Sequence, residues 1–529
     1  MTIHWGIDLG TSNTTICEDR TGNPRIVHLP GLVSLEPLTQ TPVVPSCVCI
    51  MDDRAQTVLI GQAALDYNWD GRATGFATGF KRHLGREHQR AMAEVEGRSF
   101  TAREVAHFFF RGLIDALEAQ TGEPVRDLTI AVPCDAFETY RAELRGATES
   151  LDRRPWVRRV LDRLMGRESE VRLRMIDEPV AAALGYGVDV GLSRTIVAFD
   201  FGAGTMEAAL VRIPEGGAVE SGQAEVLAKE GLQLGGDDVD RWILEELIPT
   251  ALHDWPEWHV ALGWEAERTK LLASAGQEAT FTFRNESWGT LDRASLEGLL
   301  RERGMLDALS GLLNRLVSRA AEEHGVEPSQ VDDVLLEGGS TLLPGVREAI
   351  GDVFGRDRVR EWLPFESVAR GACIFAGGAR VEDFIYHDYG VRVRRDDGHE
   401  EYELLVESGT RFPTAEDHAV RYYAPGFDGQ DSLNLFICEV GRVAGQPVQW
   451  AERANGNRYF LPQSEGQRAF CPCLNEADPA LELDPPGTGT GPRLRVSFMI
   501  DADRWLCATV HDLHKKTDLQ VRRPVVRLL

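Results

Sequence analysis

Residues 5–14 read Trp5-Gly6-Ile7-Asp8-Leu9-Gly10-Thr11-Ser12-Asn13-Thr14, and residues 198–207 repeat the pattern as Ala198-Phe199-Asp200-Phe201-Gly202-Ala203-Gly204-Thr205-Met206-Glu207. Each copy is an apolar run that reaches an Asp, turns on glycine, presents a hydroxyl residue and resumes as a strand. Glycine lets the backbone approach a phosphate closely, and successive backbone N–H groups in such a turn form an anion site. A single copy is more often an ordinary hairpin turn. Two copies, each opening a predicted half-domain, predict two loops that close on one nucleotide.

The composition is that of an ordinary soluble protein with more than one domain: 529 residues, 43% hydrophobic and 26% charged. The net charge of −26 argues against general nucleic-acid or anionic-membrane binding. The first predicted strand begins by Ile3, which leaves no room for a signal peptide. The nine cysteines favour reduced thiols and a cytoplasmic location. The C-x-C pairs Cys47/Cys49 and Cys471/Cys473 favour packing over metal binding.

Local patterns predict the elements between and after the two turns. Thr101 and Glu104 match a capping box ahead of apolar residues at helical spacing, which predicts a helix over 101–121. Residues 128–132 read as a buried strand ended by Pro133, and the basic stretch 153–167 reads as helical. From Tyr389 onward, alternation predicts an antiparallel sandwich with strands at 390–394, 403–407, 420–424, 433–440, 494–500, 506–511 and 519–523.

Further motifs follow the first turn in a fixed order. They are Phe80-Lys81-Arg82-His83-Leu84-Gly85-Arg86, Asp177-Glu178-Pro179-Val180-Ala181-Ala182-Ala183-Leu184, Leu234-Gly235-Gly236-Asp237, Glu267-Arg268-Thr269-Lys270-Leu271-Leu272-Ala273-Ser274, Gly338-Gly339-Ser340-Thr341-Leu342-Leu343-Pro344 and Ile500-Asp501-Ala502-Asp503. With the two turns, this series resembles the DnaK-type seventy-kilodalton heat-shock chaperones over nearly the whole chain. The resemblance implies a duplicated, ribonuclease H-like α/β domain, the actin-like ATPase fold, followed by an all-β sandwich domain.

The resemblance also implies roles for individual residues. Lys81 would lie against the β/γ phosphates and the attacking water, while Thr11 and Thr205 would donate hydroxyls to phosphate oxygens. The implied catalytic set is Lys81, Glu178, Asp200, Thr205 and Asp8, with Asp8 and Asp200 holding Mg²⁺ through water. The implied nucleotide-binding residues are Gly10, Thr11, Ser12, Asn13, Gly202, Ala203, Gly204, Gly235, Gly236, Glu267, Lys270, Ser274, Gly338, Gly339, Ser340 and Glu366. Attack on a γ-phosphate needs charge neutralisation and a positioned water, which these residue types supply. Taken alone, Lys81 would be interpreted as a surface lysine and Glu178 as a helix N-terminal acid.

Two departures from the family pattern bear on the nucleotide. Leu271 and Leu342 occupy positions where some members carry arginine against the adenine, and losing that stacking costs about 1 kcal/mol. We therefore expect weaker nucleotide affinity than is usual in the family. Met206-Glu207 replaces the usual Phe-Asp after the second turn, which is expected to change a contact to a monovalent ion such as K⁺.

The resemblance implies an ATPase domain at 1–380, a linker at 381–388 and a sandwich domain at 389–529, with a mobile insertion at 443–492 that includes the tract 485–491. Because the chain stops at Leu529, directly after the last predicted strand, the family's helical lid is expected to be missing, and weaker or dedicated client binding is expected. The insertion either remains a disordered loop, which we favour, or replaces part of the lid.

Four residues match the family's allosteric positions. Pro133 and Arg141 match its proline switch, while Arg174 and Asp388 match positions that engage J-domain co-chaperones. The alternative for each is an ordinary strand-end proline or surface charge. The linker residues Phe384, Ile385, Tyr386 and His387 replace smaller aliphatics but remain apolar enough to dock in a groove.

The sequence therefore predicts an ATP-dependent chaperone in which Mg-ATP hydrolysis controls the binding of extended client polypeptide. The expected partners are a J-domain co-chaperone and a nucleotide exchange factor, although the region 241–330 is shorter than its usual counterpart. The alternative is a nucleotide-switched scaffold or regulator for one dedicated partner. A sugar or metabolite kinase on the same fold is disfavoured, because such enzymes do not normally end in a β-sandwich.

Overall fold

The structure, a computed structural model, describes residues 3–36, 39–85, 91–134, 136, 138–149, 172–190, 193–213, 223–248, 258–360, 363–394, 400–441, 448–453, 456–462, 471–476, 478, 480–488, 491–501 and 504–528. The chain divides into two compact units. Unit 1 comprises residues 1–134 and 142–382, and unit 2 comprises residues 135–141 and 383–529. The basic stretch 153–167, Arg86, Ala502, Asp503 and parts of 443–492 lie outside the described residues.

The first half of unit 1 consists of one large mixed sheet, two smaller sheets and their helices. Its strands are β1 (His4–Leu9), β2 (Asn13–Asp19), β3 (Arg25–Ile26), β4 (Ser34–Leu35), β5 (Pro42–Pro45), β6 (Cys47–Ile50), β7 (Val58–Ile60), β8 (Phe76–Thr78), β9 (Ala93–Val95), β10 (Arg98–Phe100), β11 (Asp127–Val132) and β12 (Arg172–Asp177). Its helices are α1 (Gln62–Tyr67), α2 (Ala102–Thr121), α3 (Glu138–Glu149), whose first residues belong to unit 2, and α4 (Glu178–Val190). The main sheet runs β12-β11-β1-β2-β5-β4, and the two smaller sheets are β7-β6-β8 and β9-β10. Because β1, β11 and β12 are parallel, their carboxyl ends, near Asp8, Val132 and Asp177, meet at one edge.

The second half repeats this plan. Its strands are β13 (Arg194–Phe201), β14 (Met206–Ile213), β15 (Gln223–Leu232), β16 (Ala279–Phe283), β17 (Glu286–Leu291), β18 (Asp333–Glu337), β19 (Val359–Arg360) and β20 (Arg380–Glu382). Its helices are α5 (Gly236–Leu247), α6 (His259–Ser274), α7 (Arg293–Glu302), α8 (Met305–His324), α9 (Val346–Phe354) and α10 (Ser367–Ala376). The strand β13 pairs antiparallel with β14 and parallel with β18, as β1 pairs with β2 and β11. Asp200 faces Glu337 in this register.

The helix predicted over 101–121 is confirmed as α2. The Thr101 hydroxyl accepts the amide hydrogen of Glu104 at 3.3 Å, and the Glu104 carboxylate accepts the Thr101 amide at 2.9 Å. These reciprocal bonds satisfy donors that a helix N-terminus otherwise leaves unpaired. The helix ends at Thr121 and is followed by Gly122, whose φ of 71° suits glycine. The predicted spacing places the fully buried Val105, Phe109 and Leu113 on one face.

Unit 2 is rich in β-structure. Its strands are β21 (Asp388–Arg394), β22 (Glu400–Val406), β23 (Ala419–Tyr423), β24 (Gln430–Leu433), β25 (Phe436–Val440), β26 (Ala451–Glu452), β27 (Arg458–Phe460), β28 (Leu481–Gly487), β29 (Leu494–Ile500), β30 (Trp505–Asp512) and β31 (Thr517–Arg527). One sheet runs β25-β21-β22-β27-β26 and another runs β23-β29-β30-β31. Both contribute to one apolar core, exemplified by Tyr389 and Val391 from the first sheet and Phe498 and Val510 from the second.

Two predictions in this unit differ from the structure. The strand predicted over 433–440 is divided into β24 and β25. The stretch 443–492 contains β26, β27 and β28, and the Pro485-Pro486-Gly487 tract predicted as loop forms the end of β28. Proline is tolerated there because β28 pairs with β24 in a two-stranded sheet, where each strand keeps an open edge. Among the described residues, none of the helices is both long enough and apolar enough to span a membrane.

Candidate functional site

The first glycine turn joins β1 to β2 and is supported by Ser46. The Ser46 hydroxyl donates to the carbonyl oxygen of Gly10 at 2.8 Å, and the Ser46 amide donates to that of Ser12 at 2.8 Å. A Cβ atom on Gly10 would lie 2.1 Å from the carbonyl oxygen of Asn13, so a larger residue does not fit. The backbone of this turn is therefore compact, as a phosphate loop requires.

The second glycine turn joins β13 to β14 and touches the first. The Gly202 amide donates to the carbonyl oxygen of Thr205 at 3.1 Å, which closes the turn. A Cβ atom on Gly204 would lie 2.6 Å from the hydroxyl oxygen of Thr11. The two turns, separated by almost two hundred residues of sequence, thus meet in unit 1.

Lys81 and Glu178 form a buried ion pair. Lys81 lies on a short 3₁₀ helix, Phe80–His83, and Glu178 is the first residue of α4. Lys81 Nζ lies 2.7 Å from Glu178 Oε1, and the two residues are only 6% and 3% exposed. Lys81 is therefore not the solvated surface lysine that it would be taken for in isolation, and Glu178 is a helix N-terminal acid that also pairs with a buried lysine.

Two further carboxylates share the electrostatic environment of this pair. Burial raises the pKa of Asp200 to about 7; the Glu178 charge adds to this shift, and Lys81 opposes it. Burial, followed by the charges of Glu178 and Asp200, raises the pKa of Asp8 well above its usual range. Asp8 and Asp200 are the last residues but one of the first strand of each half. The repeated hairpin therefore brings two carboxylates to one place beside a lysine.

Glu337 is a residue at this site that the sequence analysis missed. It ends β18, is 1% exposed, and accepts a hydrogen bond from the Ser367 hydroxyl at 2.5 Å. Burial raises the pKa of Glu337, the Ser367 bond opposes the shift, and the charges of Asp200 and Asp8 add to it. Its Oε1 atom is buried and has no hydrogen-bond partner among the described residues. One sequence feature could have identified Glu337: it is a charged residue that follows the apolar run Val334-Leu335-Leu336 and precedes two glycines.

The chemistry of these carboxylates fits a hard divalent cation. Mg²⁺ favours oxygen ligands, and it usually takes one or two carboxylates, several waters and substrate phosphates. Within the described part of the chain, no group of three or more His, Cys, Asp or Glu side chains is arranged to hold a metal ion. Asp8, Asp200 and Glu337 supply oxygen ligands of the type that such an ion prefers.

Lys270 and Ser340 lie beside the glycine pair that opens α5. Lys270 Nζ donates to the carbonyl oxygen of Gly236 at 3.1 Å and to Asp240 Oδ2 at 2.8 Å. The Ser340 hydroxyl donates to the carbonyl oxygen of Gly202 at 2.8 Å. A Cβ atom on Gly236 would lie 2.7 Å from Ser340 Oγ and 3.2 Å from Lys270 Nζ. Three separate sequence motifs thus converge on the second turn.

Gly235 and Gly338 complete this convergence. A Cβ atom on Gly235 would lie 2.2 Å from the carbonyl oxygen of Ala203. Gly338 has a φ of 77°, and a Cβ atom there would lie 2.5 Å from the carbonyl oxygen of Phe201. Gly339, its neighbour, has no atom within 4 Å of a Cβ position. The glycines at 235 and 338 therefore permit close backbone packing, while that at 339 leaves open space.

The remaining predicted nucleotide contacts lie on α6 and near α10. Ser274 Oγ is buried and has no hydrogen-bond partner among the described residues. Glu267 is exposed, and Glu366 accepts a hydrogen bond from the Thr41 hydroxyl at 3.1 Å. Leu271 and Leu342, the residues that depart from the family pattern, are 53% and 44% exposed.

Glu207, which follows the second turn, binds the backbone next to Pro133. It is fully buried, and its Oε2 atom accepts a hydrogen bond from the Cys134 amide at 2.8 Å. Pro133 follows β11 directly. The longer carboxylate at 207 thus connects the second turn to the start of the segment 135–141.

That segment belongs to unit 2, where it lies against Glu439. The Glu138 amide donates to Glu439 Oε2 at 2.7 Å, and the Tyr389 hydroxyl donates to Glu439 Oε1 at 2.7 Å. Burial raises the pKa of Glu439 to about 8, while the Tyr389 bond and the Arg141 charge oppose the shift. Arg141, predicted as part of a switch, is 3% exposed.

Arg174 and Asp388 occupy different surroundings. Arg174, in unit 1, donates to both carboxylate oxygens of Asp127 at 3.0 Å and to the carbonyl oxygen of Phe375 at 3.0 Å. Asp388, in unit 2, accepts bonds from the Ser408 amide at 2.7 Å and the Trp450 indole at 2.6 Å. Both are held by neighbours in their own unit.

The comparison with protein-family models agrees with this convergence of motifs. The model described as Hsp70 protein matches residues 4–420, which is most of the chain. The chain belongs to the Hsp70 family. The resemblance predicted from the sequence is confirmed. Hsp70 proteins are ATPases with a chaperone role that bind ATP or ADP with Mg²⁺, and they share the actin-like ATPase domain.

Proposed function

We propose that this Hsp70 protein hydrolyses ATP in unit 1 and uses the reaction to control the binding of extended polypeptide by unit 2. The observation that carries the proposal is the buried Lys81–Glu178 pair at 2.7 Å, in the electrostatic environment of Asp8 and Asp200. A buried cation beside several carboxylates costs free energy of desolvation, and such groups cluster at functional sites.

The phosphates of ATP are bound by the two glycine turns, which touch at Thr11 and Gly204. The Thr11 and Thr205 hydroxyls donate to phosphate oxygens, and Lys81 neutralises charge that develops on the transferred phosphoryl group. Glu178, held by Lys81, accepts a hydrogen bond from the attacking water and orients it. Leu271 and Leu342 cover the base, and Lys270 and Ser274 contact the nucleoside.

Asp8 and Asp200 would hold a Mg²⁺ ion, and Glu337, on the strand beside Asp200, would support them. The ion would supply neutralisation of phosphate charge. The Ser367 hydroxyl holds the Glu337 carboxyl group in place through its 2.5 Å hydrogen bond to Oε2. The other oxygen, Oε1, has no hydrogen-bond partner among the described residues and can therefore accept one from a bound water.

Coupling to unit 2 is proposed to follow the chain from the second turn to Glu439. Glu207 holds the Cys134 amide, and the next residues, 135–141, lie in unit 2 with the Glu138 amide on Glu439. A shift of the second turn on phosphate release moves Glu207 and thereby the start of this segment. Pro133 and Arg141 flank the path, which supports their role as a switch.

The proposal is tested by single-turnover ATP hydrolysis with and without a model extended peptide. Hydrolysis that the peptide accelerates supports a coupled chaperone ATPase. Hydrolysis that responds to no generic peptide, and to one tight partner only, supports a nucleotide-switched scaffold for a dedicated partner. A protein that binds no ATP contradicts the proposal.

Introducing arginine at Leu342 is expected to tighten ATP binding. A guanidinium over the adenine adds about 1 kcal/mol, which corresponds to roughly a fivefold lower Kd. Titration calorimetry of Leu342→Arg and of Leu271→Arg measures this. Leu35→Arg is the matched control, because Leu35 is a similarly exposed leucine at 52% and lies outside the nucleotide motifs. Equal affinities in all three variants would show that the base is not bound here.

Replacing Glu439 with glutamine is expected to flatten the pH dependence of unit 2 unfolding. The pKa of Glu439 is raised from its usual 4.5 to about 8, so the folded form binds more protons than the unfolded form within this window. The stability of unit 2 therefore falls as pH rises from about 4.5 to about 8. Glu439→Gln cannot ionise at this position and should lose the part of the slope that Glu439 contributes, leaving that of Asp388 and Glu403, whereas the exposed Glu452→Gln should retain the full slope. Thermal unfolding as a function of pH is the measurement, and an unchanged slope in Glu439→Gln would refute the assignment.

A further inference from the structure

Cys438 and Cys473 face one another on adjacent extended segments of unit 2. Cys438 lies on β25, and the two cysteines form an antiparallel bridge. The Glu439 amide donates to the carbonyl oxygen of Pro472 at 3.0 Å, and the Leu474 amide donates to that of Ile437 at 2.9 Å. Because these bonds flank the cysteines, the pair occupies a non-hydrogen-bonded position of the ladder, where opposite Cα atoms are about 4.5 Å apart.

This position brings the two sulfur atoms together. A Cα separation of about 4.5 Å lies inside the range that disulfides span, so a bond between them requires little backbone movement. The two thiols are close enough for each to shift the pKa of the other. Both cysteines are free, Cys438 is fully buried and Cys473 is half-buried. An oxidant therefore meets Cys473 first.

The surroundings favour the thiolate at Cys473. The bond from Cys438 lowers the pKa of Cys473 to about 7; burial opposes the shift, and a bond involving Asn475 and the charge of Arg392 add to it. Arg392 stacks on the Phe436 ring, with the guanidinium carbon 4.6 Å from its centre. The exposed Glu476 raises the pKa of Cys473, but it also pairs with Arg392 at 3.3 Å.

We propose that Cys473 and Cys438 form a thiol-modification site that a small-molecule disulfide, such as glutathione disulfide, converts into an intramolecular disulfide. The Cys473 thiolate attacks one sulfur of glutathione disulfide and forms a mixed disulfide, and the first glutathione leaves as a thiolate. Cys438 loses its proton and attacks the Cys473 sulfur, which releases the second glutathione. Two protein thiols are oxidised, one glutathione disulfide is reduced, and both protons pass to the released glutathiones.

A second cysteine pair in unit 1 provides an internal comparison. Cys17 and Cys373 also interact with each other, and that interaction together with burial raises the pKa of Cys373. Both residues are completely buried. Because reaction requires an accessible thiolate, this pair stays reduced under conditions that oxidise Cys473 and Cys438.

The disulfide would join two walls of a pocket in unit 2. Phe436 and Asn475 each lie two residues from one of the cysteines, and both line this pocket with Leu435, Asp478 and Leu481. The Asn475 amide group also bonds the carbonyl oxygen of Leu435 at 2.8 Å. Oxidation therefore adds a covalent bond to the hydrogen bonds that already join these two walls.

The test uses the full-length reduced protein, incubated with glutathione disulfide, alkylated and mapped by mass spectrometry. The wild type is expected to lose the mass of two hydrogen atoms and to yield a peptide pair linked through Cys438 and Cys473. Cys438→Ser should stop at one glutathione on Cys473, whereas Cys473→Ser should leave Cys438 alkylatable. Cys471→Ser is the matched control, because it removes the neighbouring thiol and should behave as the wild type.

Two results would overturn the proposal. One is a link between Cys471 and Cys473 in the wild type, which would assign the reaction to the C-x-C pair. The other is oxidation of Cys473 and Cys438 that is no faster than that of Cys17 and Cys373. Both results are measured in the wild-type protein. The proposed disulfide can therefore be accepted or rejected even if a cysteine variant fails to fold.

Discussion

Lys81→Ala is expected to reduce single-turnover ATP hydrolysis by on the order of a hundredfold or more. Lys81 is a buried cation 2.7 Å from Glu178, and its charge opposes the raised pKa of both Asp8 and Asp200. Without Lys81 the developing phosphoryl charge is no longer neutralised, and Glu178 loses the partner that orients it. Rapid-quench measurement of phosphate release from a stoichiometric enzyme–ATP complex gives the rate.

Folding must be monitored in this variant, because removing one partner of a buried ion pair costs about 3–5 kcal/mol. Glu178→Gln provides an independent test, since the amide keeps an acceptor for Lys81 but removes the carboxylate that orients water. It is expected to bind ATP and to hydrolyse it slowly. Arg212→Ala is the matched control, because it breaks the 3.0 Å ion pair to Glu225 in the same unit, where the two side chains are 43% and 33% exposed. Wild-type hydrolysis by a folded Lys81→Ala protein would refute the catalytic role.

Gly338→Ala is expected to destabilise unit 1 by about 3 kcal/mol and to weaken ATP binding. The φ of 77° at Gly338 is costly for alanine, and the added Cβ would lie 2.5 Å from the carbonyl oxygen of Phe201 and 2.8 Å from Asp200 Oδ1. Relief of this clash displaces the strand end that carries Asp200. Thermal unfolding and ATP titration of the same sample measure both effects.

Gly339→Ala is the control that the chain itself offers. Gly339 is the next residue, lies in the 3₁₀ turn Gly339–Leu342, and has open space around its Cβ position. The variant is expected to keep its stability within about 0.5 kcal/mol. A loss of ATP affinity without a loss of stability would indicate that the nucleotide approaches the backbone at this residue. Equal destabilisation by the two variants would contradict the proposed packing of Gly338 on Phe201.

The local elements were largely predictable from the sequence, because their causes are local. The helix α2 follows from a capping box and a helical apolar period, and both glycine turns follow from a strand, an Asp and a glycine in sequence. The secondary-structure prediction failed where the conformation of a segment depends on which other strand it pairs with. The end of β28 was predicted as loop from its prolines, yet an edge strand accepts them.

Part of the candidate site was also beyond the reach of sequence patterns. Glu337 was missed, because a glutamate before two glycines resembles an ordinary strand end, and only its burial against Ser367 distinguishes it. The contact of Glu439 with the Glu138 amide joins residues 301 positions apart in the chain. The pairing of Cys438 with Cys473 was hidden for the same reason, and Cys471 was the more obvious neighbour.

By itself the sequence determined the family, the order of the motifs and the type of most elements, because turn chemistry, capping and apolar periodicity act over a few residues. Only the tertiary structure decided which of these residues meet. It brings Gly204 next to Thr11. It also brings Lys81 next to Glu178, which lies 97 residues further along the chain. It also makes the charges of Asp8, Asp200 and Glu337 interdependent through burial. The physical reason is that proximity and desolvation are properties of the packed chain, so a carboxylate acquires its pKa and its partner only when the fold excludes water around it.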